Sequence, residues 1–293
     1  MIKKYKNSIL LLCFLMGLTS ATEPGVNGKR TEKADQGWRI NFPKQVEYCE
    51  QMPSSDSLFI FFMAGQSNMA GRGFVEPQDT IPNKRILTID ASMNWVYAKE
   101  PLHFYEPKMT GLDCGMAFGQ SLLDSLPEGV SIAMIPCAVG GSSINKWLSN
   151  QNHRGVALLS NFKSKVAFAK NYGTIKGILW HQGESNAKAE RIPMYAQQLD
   201  SLIAIFRETV GNDELPVVIG ELGRYTEPED KQARWDALNL QINSVADRDA
   251  NISVANSEGL THKGDGTHMD SESQRELGRR LAKQYLEVTK VTK

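Results

Sequence analysis

A serine in the first third of the chain and an acid–imidazole pair near its end could together carry out covalent catalysis. Ser67 follows the apolar run 59–64, inside a Gly-Gln-Ser turn that can expose one hydroxyl at the end of a strand. Asp265 and His268 lie three residues apart in the segment Asp-Gly-Thr-His. A serine becomes nucleophilic when an imidazole accepts its proton and a carboxylate fixes the tautomer of that imidazole. These residues therefore predict a nucleophile, a general base and an orienting acid.

The segment around His268 is predicted to be a loop, because Asp270 is a good N-cap for a helix that starts just after it. Both Asp265 and His268 can then project toward one site. The alternative is a turn at Ser67 and a surface loop at His268, each without chemistry. Met69 replaces the second glycine of Gly-x-Ser-x-Gly, so the nucleophile elbow of the α/β-hydrolases is not matched and a different serine-hydrolase scaffold is required.

Short apolar runs rich in β-branched and aromatic residues alternate with helical patterns, which predicts an open parallel sheet covered on both faces. The strands are predicted at 58–64, 130–137, 175–180, 216–220 and 252–255, and the helices at 115–126, 157–172, 193–210, 231–246 and 271–286. Ser67, Gly141 and Gln182 each follow a predicted strand, so we expect them to meet at one edge of the sheet. The segment 73–112 is predicted to be a long loop.

Four short blocks together resemble the signature of the carbohydrate acetylesterases related to sialate O-acetylesterase, within the SGNH-hydrolase superfamily. They are Gly65-Gln66-Ser67-Asn68-Met69, Val139-Gly140-Gly141-Ser142-Ser143, Trp180-His181-Gln182-Gly183-Glu184-Ser185 and Asp265-Gly266-Thr267-His268. The blocks follow the order of the family and span about residues 58 to 285. The resemblance and the strand pattern predict an α/β fold, a three-layer αβα sandwich with a central, mostly parallel five-stranded sheet of the SGNH or flavodoxin-like type.

The resemblance also implies a role for each site residue. Ser67 would be the nucleophile, His268 the general base and then the general acid, and Asp265 its orienting partner. The oxyanion hole would consist of the backbone N–H groups of Ser67 and Gly141 and the side-chain amide of Gln182. A glycine lets the backbone approach a ligand closely, and a neutral amide can donate to an oxyanion without forming an ion pair. A plain strand-to-loop turn is the alternative for the two glycines.

The third block differs from many members of the superfamily, which have Gly-x-Asn-Asp where this chain has His-Gln-Gly-Glu. Gln182 is the predicted donor because an ionised Glu184 can only accept hydrogen bonds. Glu184 could brace the site loops, contact sugar hydroxyls or compete with Asp265 for the histidine, and bracing is favoured. Arg72 could contact the substrate or remain an exposed, solvated side chain.

The first 21 residues are predicted to be a cleaved secretory signal peptide. Three lysines precede the apolar run 9–18, and small residues up to Ala21 offer a cleavage site. The run is shorter than the ~20 residues that span a bilayer, which disfavours the alternative of an uncleaved anchor. We therefore expect a secreted or periplasmic protein with no membrane association after cleavage, in which an N-terminal extension, 22–56, precedes an SGNH-type esterase domain, 57–293.

Charge and cysteine content exclude several classes of partner. The chain has 33 basic and 33 acidic residues, so it lacks the electrostatic footprint of a nucleic-acid-binding protein. The spacing of Cys and His matches no zinc site, and neither a metal nor another cofactor is predicted. Cys49, Cys114 and Cys137 follow the signal peptide and allow at most one internal disulfide, whose pairing stays open.

The expected function is that of a carboxylic-ester hydrolase that removes O-acetyl groups from carbohydrates by a Ser-His-Asp mechanism. Its partner would be an acetylated carbohydrate, either sialic acid or a plant or other glycan, and the oligomeric state stays open. Two alternatives remain at this point. A lipase or thioesterase could use the same triad, and a non-catalytic carbohydrate-binding protein could use the serine loop only as a turn.

Overall fold

A central sheet of seven strands organises the residues that the computed structural model describes, 39–290. In chain order its strands are β1 (Leu58–Gly65), β2 (Ile86–Ile89), β3 (Trp95–Tyr97), β4 (Ser131–Pro136), β7 (Thr174–His181), β8 (Val217–Gly220) and β9 (Ile252–Ala255). Across the sheet they run β3-β2-β4-β1-β7-β8-β9, and all neighbours pair in parallel except β2 and β3. A separate hairpin pairs β5 (Asn152–His153) with β6 (Val156–Ala157).

Six α-helices cover the two faces of this sheet in the described part of the chain. They are α1 (Gly115–Leu123), α2 (Ile144–Leu148), α3 (Leu158–Ala169), α4 (Tyr195–Val210), α5 (Glu229–Ala246) and α6 (Ser271–Thr289). Short 3-10 helices lie at Ser55–Ser57, Pro77–Thr80 and Ile192–Met194. The buried side chains of α1 and α6 share one core layer, and those of α2 to α5 share the other, so the fold is a three-layer αβα sandwich.

The central strand β1 shows why both faces of the sheet are buried. Its side chains alternate, so that Phe62 enters the core beside α2 to α5 and Phe61 enters the core beside α1 and α6. The ring of Phe62 packs against Phe162 at a centroid distance of 5.2 Å, and the ring of Phe61 packs against Phe118 at 5.0 Å. Each fully buried aromatic contributes on the order of 2 kcal/mol of hydrophobic stabilisation. An apolar run without polar alternation therefore makes a strand covered on both faces.

The prediction of an α/β sandwich with a mostly parallel sheet is confirmed, but the predicted number of five strands is wrong. The two additional strands, β2 and β3, lie within the segment predicted to be a loop. β2 has four residues and β3 has three, which is too short for an apolar period to stand out from the surrounding sequence. Trp95 of β3 packs on the rings of Phe168 and Tyr172, so it belongs to the core.

Within residues 39–56, the described part of the predicted N-terminal extension, the segment 47–49 runs antiparallel to β3. The backbone N–H of Cys49 donates to the carbonyl of Trp95 at 2.9 Å, and that of Tyr97 donates to the carbonyl of Glu47 at 2.9 Å. The predicted signal peptide and residues 22–38 lie outside the described residues. Among residues 39–290, no helix is both long enough and apolar enough to cross a membrane, and the three described cysteines are not paired.

Candidate active site

Ser67, His268 and Asp265 lie in one hydrogen-bonded line. The Nε2 atom of His268 is 3.1 Å from the Ser67 hydroxyl, and its Nδ1 atom is 2.8 Å from Oδ2 of Asp265. A carboxylate can only accept, so Nδ1 carries the hydrogen and Nε2 presents a lone pair to the serine. The arrangement can therefore remove a proton from the serine hydroxyl and stabilise the imidazolium that results.

The position of Ser67 follows from the order of the strands. β1 lies between β4 and β7, so the turns after these three strands meet at one edge of the sheet. The turn after β1 is fixed to the turn after β7 by a 3.0 Å hydrogen bond from Gln66 N–H to the carbonyl of His181. It is fixed to the turn after β4 because the Ser142 hydroxyl donates to the carbonyl of Gly65 at 2.9 Å.

Gly65 cannot be replaced without moving the backbone. Its φ is +139°, and a β-carbon built on it would lie 2.1 Å from the carbonyl oxygen of His181. Any side chain would therefore push β1 away from β7 directly before the serine. The glycine of the Gly-Gln-Ser turn is needed for the close approach of β1 and β7.

The loop 261–270 presents His268 and is shaped by its own side chains. Oδ1 of Asp265 accepts the backbone N–H groups of Thr267, at 3.0 Å, and His268, at 2.7 Å. Although partial burial opposes the effect, these bonds and the His268 imidazole hold the pKa of Asp265 below its usual value. Nδ1 of His262 accepts the N–H groups of Gly264 and Gly266, both at 3.0 Å. The carboxylate therefore stays ionised and the loop stays closed around it.

A second layer of contacts holds this loop from the side of α5. The Thr226 hydroxyl donates to the carbonyl of Gly266 at 2.6 Å, and the Tyr225 hydroxyl donates to that of Thr267 at 3.3 Å. Lys231 donates to the carbonyl of Gly266 and to the hydroxyl of Thr267, each at 3.1 Å.

The loop ends at the N-cap of α6, and the predicted N-cap is confirmed. Oδ1 of Asp270 accepts the N–H of Ser273 at 2.8 Å at the start of α6.

Asn68 joins the nucleophile loop to the histidine loop and was not identified from the sequence as a site residue. Its Nδ2 donates to the carbonyl of Thr267 at 3.2 Å, and its Oδ1 accepts the N–H of Met269 at 3.0 Å. Both residues flank His268. The same Nδ2 donates to Glu184 at 2.6 Å, so Glu184 contacts the site through Asn68, as bracing requires. Asn68 therefore sets the distance between Ser67 and His268.

The two backbone donors predicted for the oxyanion hole have no hydrogen-bond acceptor within the described residues. Within residues 39–290, no acceptor is hydrogen-bonded to the N–H of Ser67 or of Gly141. Gly141 has a φ of +73°, a left-handed conformation that glycine adopts without strain. Unpaired backbone N–H groups are the kind of donor that can stabilise the negative charge of a tetrahedral intermediate.

Gln182 is not a free donor in this structure, in contrast to its predicted role in the oxyanion hole. Its Nε2 donates to Oε1 of Gln66 at 3.0 Å and to Oδ1 of Asn186 at 2.9 Å, which uses both amide hydrogens. The side-chain oxygen accepts from the Tyr195 hydroxyl at 3.1 Å. Gln182 is completely buried, and both acceptors would lose a partner if its amide turned away. In this arrangement it connects the loops around the serine.

The expectation of a substrate-contacting or solvated Arg72 is wrong, because the side chain is buried. Its Nη2 lies 2.7 Å from Oε2 of Glu106, and its Nη1 donates to the carbonyl of Gly71 at 2.7 Å. The same Glu106 oxygen accepts the N–H of Gly140 at 2.6 Å. A buried guanidinium needs a carboxylate partner, and position in the sequence alone does not reveal Glu106. Arg72 therefore supports the glycine loop from inside the protein.

A cavity of about 430 Å³ opens beside the histidine loop. Among its lining residues are Glu184, which bonds to Asn68, and Lys231, which bonds to Thr267. Lys188, Glu190 and Arg234 add further charged groups to the wall. Such donors and acceptors suit a ligand that is rich in hydroxyl groups.

Known proteins resemble this chain along most of its length. A family model described as carbohydrate esterase, sialic acid-specific acetylesterase matches residues 57–287. A probable carbohydrate esterase of Arabidopsis thaliana is 32% identical over 249 residues, which cover 78% of this chain and 90% of that protein. The X-ray structure of the Arabidopsis thaliana protein superimposes with a TM-score of 0.68 at 29% identity, covering 80% of this chain and 99% of that one.

Two further structures share the fold at lower identity. NanS matches with a TM-score of 0.64 at 16% identity, over 82% of this chain and 99% of its own. A carbohydrate acetylesterase from Xanthomonas citri matches with a TM-score of 0.57 at 19% identity, over 79% of this chain and 56% of its own. At these identities the likeness shows a shared fold.

The chain belongs to the carbohydrate esterase family of sialic acid-specific acetylesterases. It is therefore a carboxylic-ester hydrolase of the carbohydrate acetylesterase type, as the four sequence blocks predicted.

Proposed function

We propose that this protein is a serine esterase that removes O-acetyl groups from carbohydrates with Ser67, His268 and Asp265 as its catalytic residues. The observation that carries the proposal is the continuous line from the Ser67 hydroxyl through both nitrogens of His268 to Asp265. Ser67 attacks the acetyl carbonyl while His268 accepts its proton. His268 then returns this proton to the departing sugar oxygen and afterwards activates the water that releases acetate.

In this proposal the oxyanion is bound by the backbone N–H groups of Ser67 and Gly141, which have no internal acceptor among the described residues. Each such donor contributes on the order of 3 kcal/mol of transition-state stabilisation. Gln182 has both of its amide hydrogens donated elsewhere. Its contribution is to hold Gln66 and Asn186 in place.

The substrate is proposed to be an acetylated carbohydrate, bound in the cavity that Glu184 and Lys231 line. Membership of the family supports this choice, and its description makes O-acetylated sialic acid the first compound to assay. Acetylated plant and other glycans come next. A long-chain ester or thioester would be the better substrate if the cavity accepted an acyl chain instead of a sugar.

We also propose that the protein acts outside the cytoplasm after its first 21 residues are removed. The lysines, the apolar run and the small residues at the start of the sequence support this step. Expression of the full chain, followed by N-terminal sequencing of the product in each compartment, tests it. A cytoplasmic product that still begins at residue 1 would contradict secretion and leave the catalytic proposal unaffected.

Acetate release from a panel of acetylated glycans tests the catalytic proposal. Ser67→Ala should lower turnover on the order of 10⁴-fold or more while the melting temperature changes little, because the nucleophile is lost and its neighbours remain. Ser201→Ala, on the exposed side of α4, is the matched control and should behave like wild type. Unchanged acetate release by the Ser67→Ala protein would refute the mechanism.

A further inference from the structure

The peptide unit between Gly140 and Gly141 is held from one side by an imidazole. Nε2 of His153 lies 2.8 Å from the carbonyl oxygen of Gly140. His153 is at the end of β5, in the small hairpin that follows α2. The N–H of Gly140 is held separately by Glu106 at 2.6 Å. The residue before Gly141 is therefore fixed at both its donor and its acceptor.

The protonation of His153 follows from its two partners. A carbonyl oxygen can only accept, so Nε2 must carry a hydrogen and donate it to Gly140. Nδ1 lies 3.0 Å from Nζ of Lys146, an ammonium group that can only donate, so Nδ1 must be the acceptor. Burial lowers the pKa of His153, and the charges of Lys146 and Arg154 act in the same direction. The ring is therefore neutral, with its one hydrogen directed at Gly140.

A trans peptide unit is planar, and its C=O and N–H groups point in opposite directions. The carbonyl of Gly140 and the N–H of Gly141 belong to the same unit. A hydrogen bond that fixes the carbonyl therefore fixes the direction of that N–H on the other side of the plane. The bond also polarises the peptide, which strengthens the N–H as a donor.

Two adjacent glycines make such a restraint necessary. Neither residue has a β-carbon, so the peptide between them can rotate with little steric resistance. The hairpin lies directly against this peptide, since a β-carbon built on Gly141 would be 3.8 Å from Nε2 of His153 and 3.6 Å from Nη2 of Arg154. Within residues 39–290, His153 is the side chain that donates to the Gly140 carbonyl.

We propose that His153 is a positioning residue for the reaction, which holds the Gly140–Gly141 peptide so that the N–H of Gly141 points at the oxyanion. The inference rests on the proposed function, because it requires that Gly141 binds the oxyanion of the Ser67 adduct. His153 touches no reacting atom. It acts through one hydrogen bond to one carbonyl.

Substitutions of His153 test this role through the hydrolysis of 4-nitrophenyl acetate. His153→Phe keeps the ring volume but loses the donor, so kcat should fall about 10- to 100-fold with little change in KM, because only transition-state stabilisation is lost. His153→Gln places an amide N–H near the former Nε2 and should restore kcat to within a few-fold of wild type. Asn152→Ala, an exposed neighbour in the same strand, should leave both constants unchanged.

The outcomes separate this inference from the proposed function. A wild-type activity that disappears with Ser67→Ala but persists at full kcat in a folded His153→Phe protein would overturn the role of His153 alone. Equal losses in the Phe and Gln variants would do the same, since a purely structural histidine is not rescued by a donor. Activity that survives Ser67→Ala would instead overturn the proposed function.

Discussion

Two Asp–His pairs in this molecule have the same bond length and different surroundings. Oδ2 of Asp265 and Oδ2 of Asp113 each lie 2.8 Å from Nδ1 of their histidines, His268 and His103. The second nitrogen of His268 faces the Ser67 hydroxyl at 3.1 Å, whereas that of His103 accepts the backbone N–H of Ala138 at 3.2 Å. An aspartate can set the tautomer of either histidine. The group that is hydrogen-bonded to the Nε2 lone pair determines whether the Asp–His pair can act as a general base.

Burial separates the two pairs as well. The side chains of His268 and Asp265 are 21% and 38% exposed, and those of His103 and Asp113 are 1% and 0% exposed. Solvent and substrate can reach the first pair. The second pair ties Ala138 to the start of α1, because Oδ1 of Asp113 also accepts the N–H of Gly115 at 2.7 Å. We therefore propose that the Asp265–His268 pair takes part in catalysis and that the Asp113–His103 pair gives structural support.

The largest expected difference comes from changing each aspartate to asparagine. Asp265→Asn should lower kcat on the order of 10³- to 10⁴-fold, because an amide no longer fixes the catalytic tautomer or stabilises the imidazolium. Asp113→Asn should change kcat only a few-fold and should lower the melting temperature instead. Steady-state kinetics and thermal denaturation of both variants measure this contrast. Comparable losses of kcat would remove the distinction between the pairs.

Asn68→Ala should reduce turnover by the Asp265–His268 pair without changing either of those two residues. The variant loses the hydrogen bonds from the Asn68 side chain to Thr267 and Met269, so His268 spends less time within reach of Ser67. We expect kcat to fall about tenfold, because one or two hydrogen bonds are lost. Asn68→Asp keeps the acceptor for Met269 but places a carboxylate against Glu184, so its loss should be larger. An Asp variant that is more active than the Ala variant would contradict this role.

His103→Phe should affect the buried pair through stability. It leaves the carboxylate of Asp113 in the core without its imidazole partner, which costs about 3 kcal/mol of the free energy of unfolding. Urea denaturation measures this cost. Turnover measured well below the unfolding transition should remain within a few-fold of wild type. A loss of turnover as large as that of Asp265→Asn would show that His103 takes part in catalysis.

Glu100 should give the smallest effect, a change in how stability depends on pH. Burial raises the pKa of this carboxyl well above its usual value, and the nearby charge of Asp113 raises it further. Because the pKa is raised in the folded state, the protonated Glu100 carboxyl makes its full contribution to the free energy of unfolding below the ordinary pKa of about 4.5. That contribution is lost as the pH rises through the folded-state pKa. Glu100→Gln, which does not titrate, should therefore lose less stability than wild type between pH 4.5 and neutral pH. Parallel curves for the two proteins would contradict a buried, protonated Glu100.

The exposed pair could be found from the sequence because its members lie in one short loop before a recognisable N-cap. Long apolar runs such as that of β1 likewise predicted the central strands, and the resemblance to the family supplied the predicted role of Gly141. The buried pair could not be found in this way. His103 and Asp113 lie in a segment without a clear period, and only the fold brings their ring and carboxylate together.

The same limit explains the other differences. The partners of Arg72 and Gln182 come from distant segments, so neither the buried ion pair with Glu106 nor the full use of the Gln182 amide can be deduced from local pattern. Asn68 stands inside a quoted block, but its role depends on Thr267 and Met269 at the far end of the chain. His153 precedes a short turn, and its donation to Gly140 depends on how the hairpin folds back.

The most direct measurement is the site and rate of covalent labelling by a fluorophosphonate, read by mass spectrometry of the digested protein. The wild-type protein should carry a single adduct on Ser67, because only a serine activated by an imidazole reacts quickly. His268→Ala should abolish rapid labelling, and His103→Phe should retain it. An adduct on another residue, or labelling that is equally fast without His268, would contradict the proposal that the Asp265–His268 pair activates Ser67.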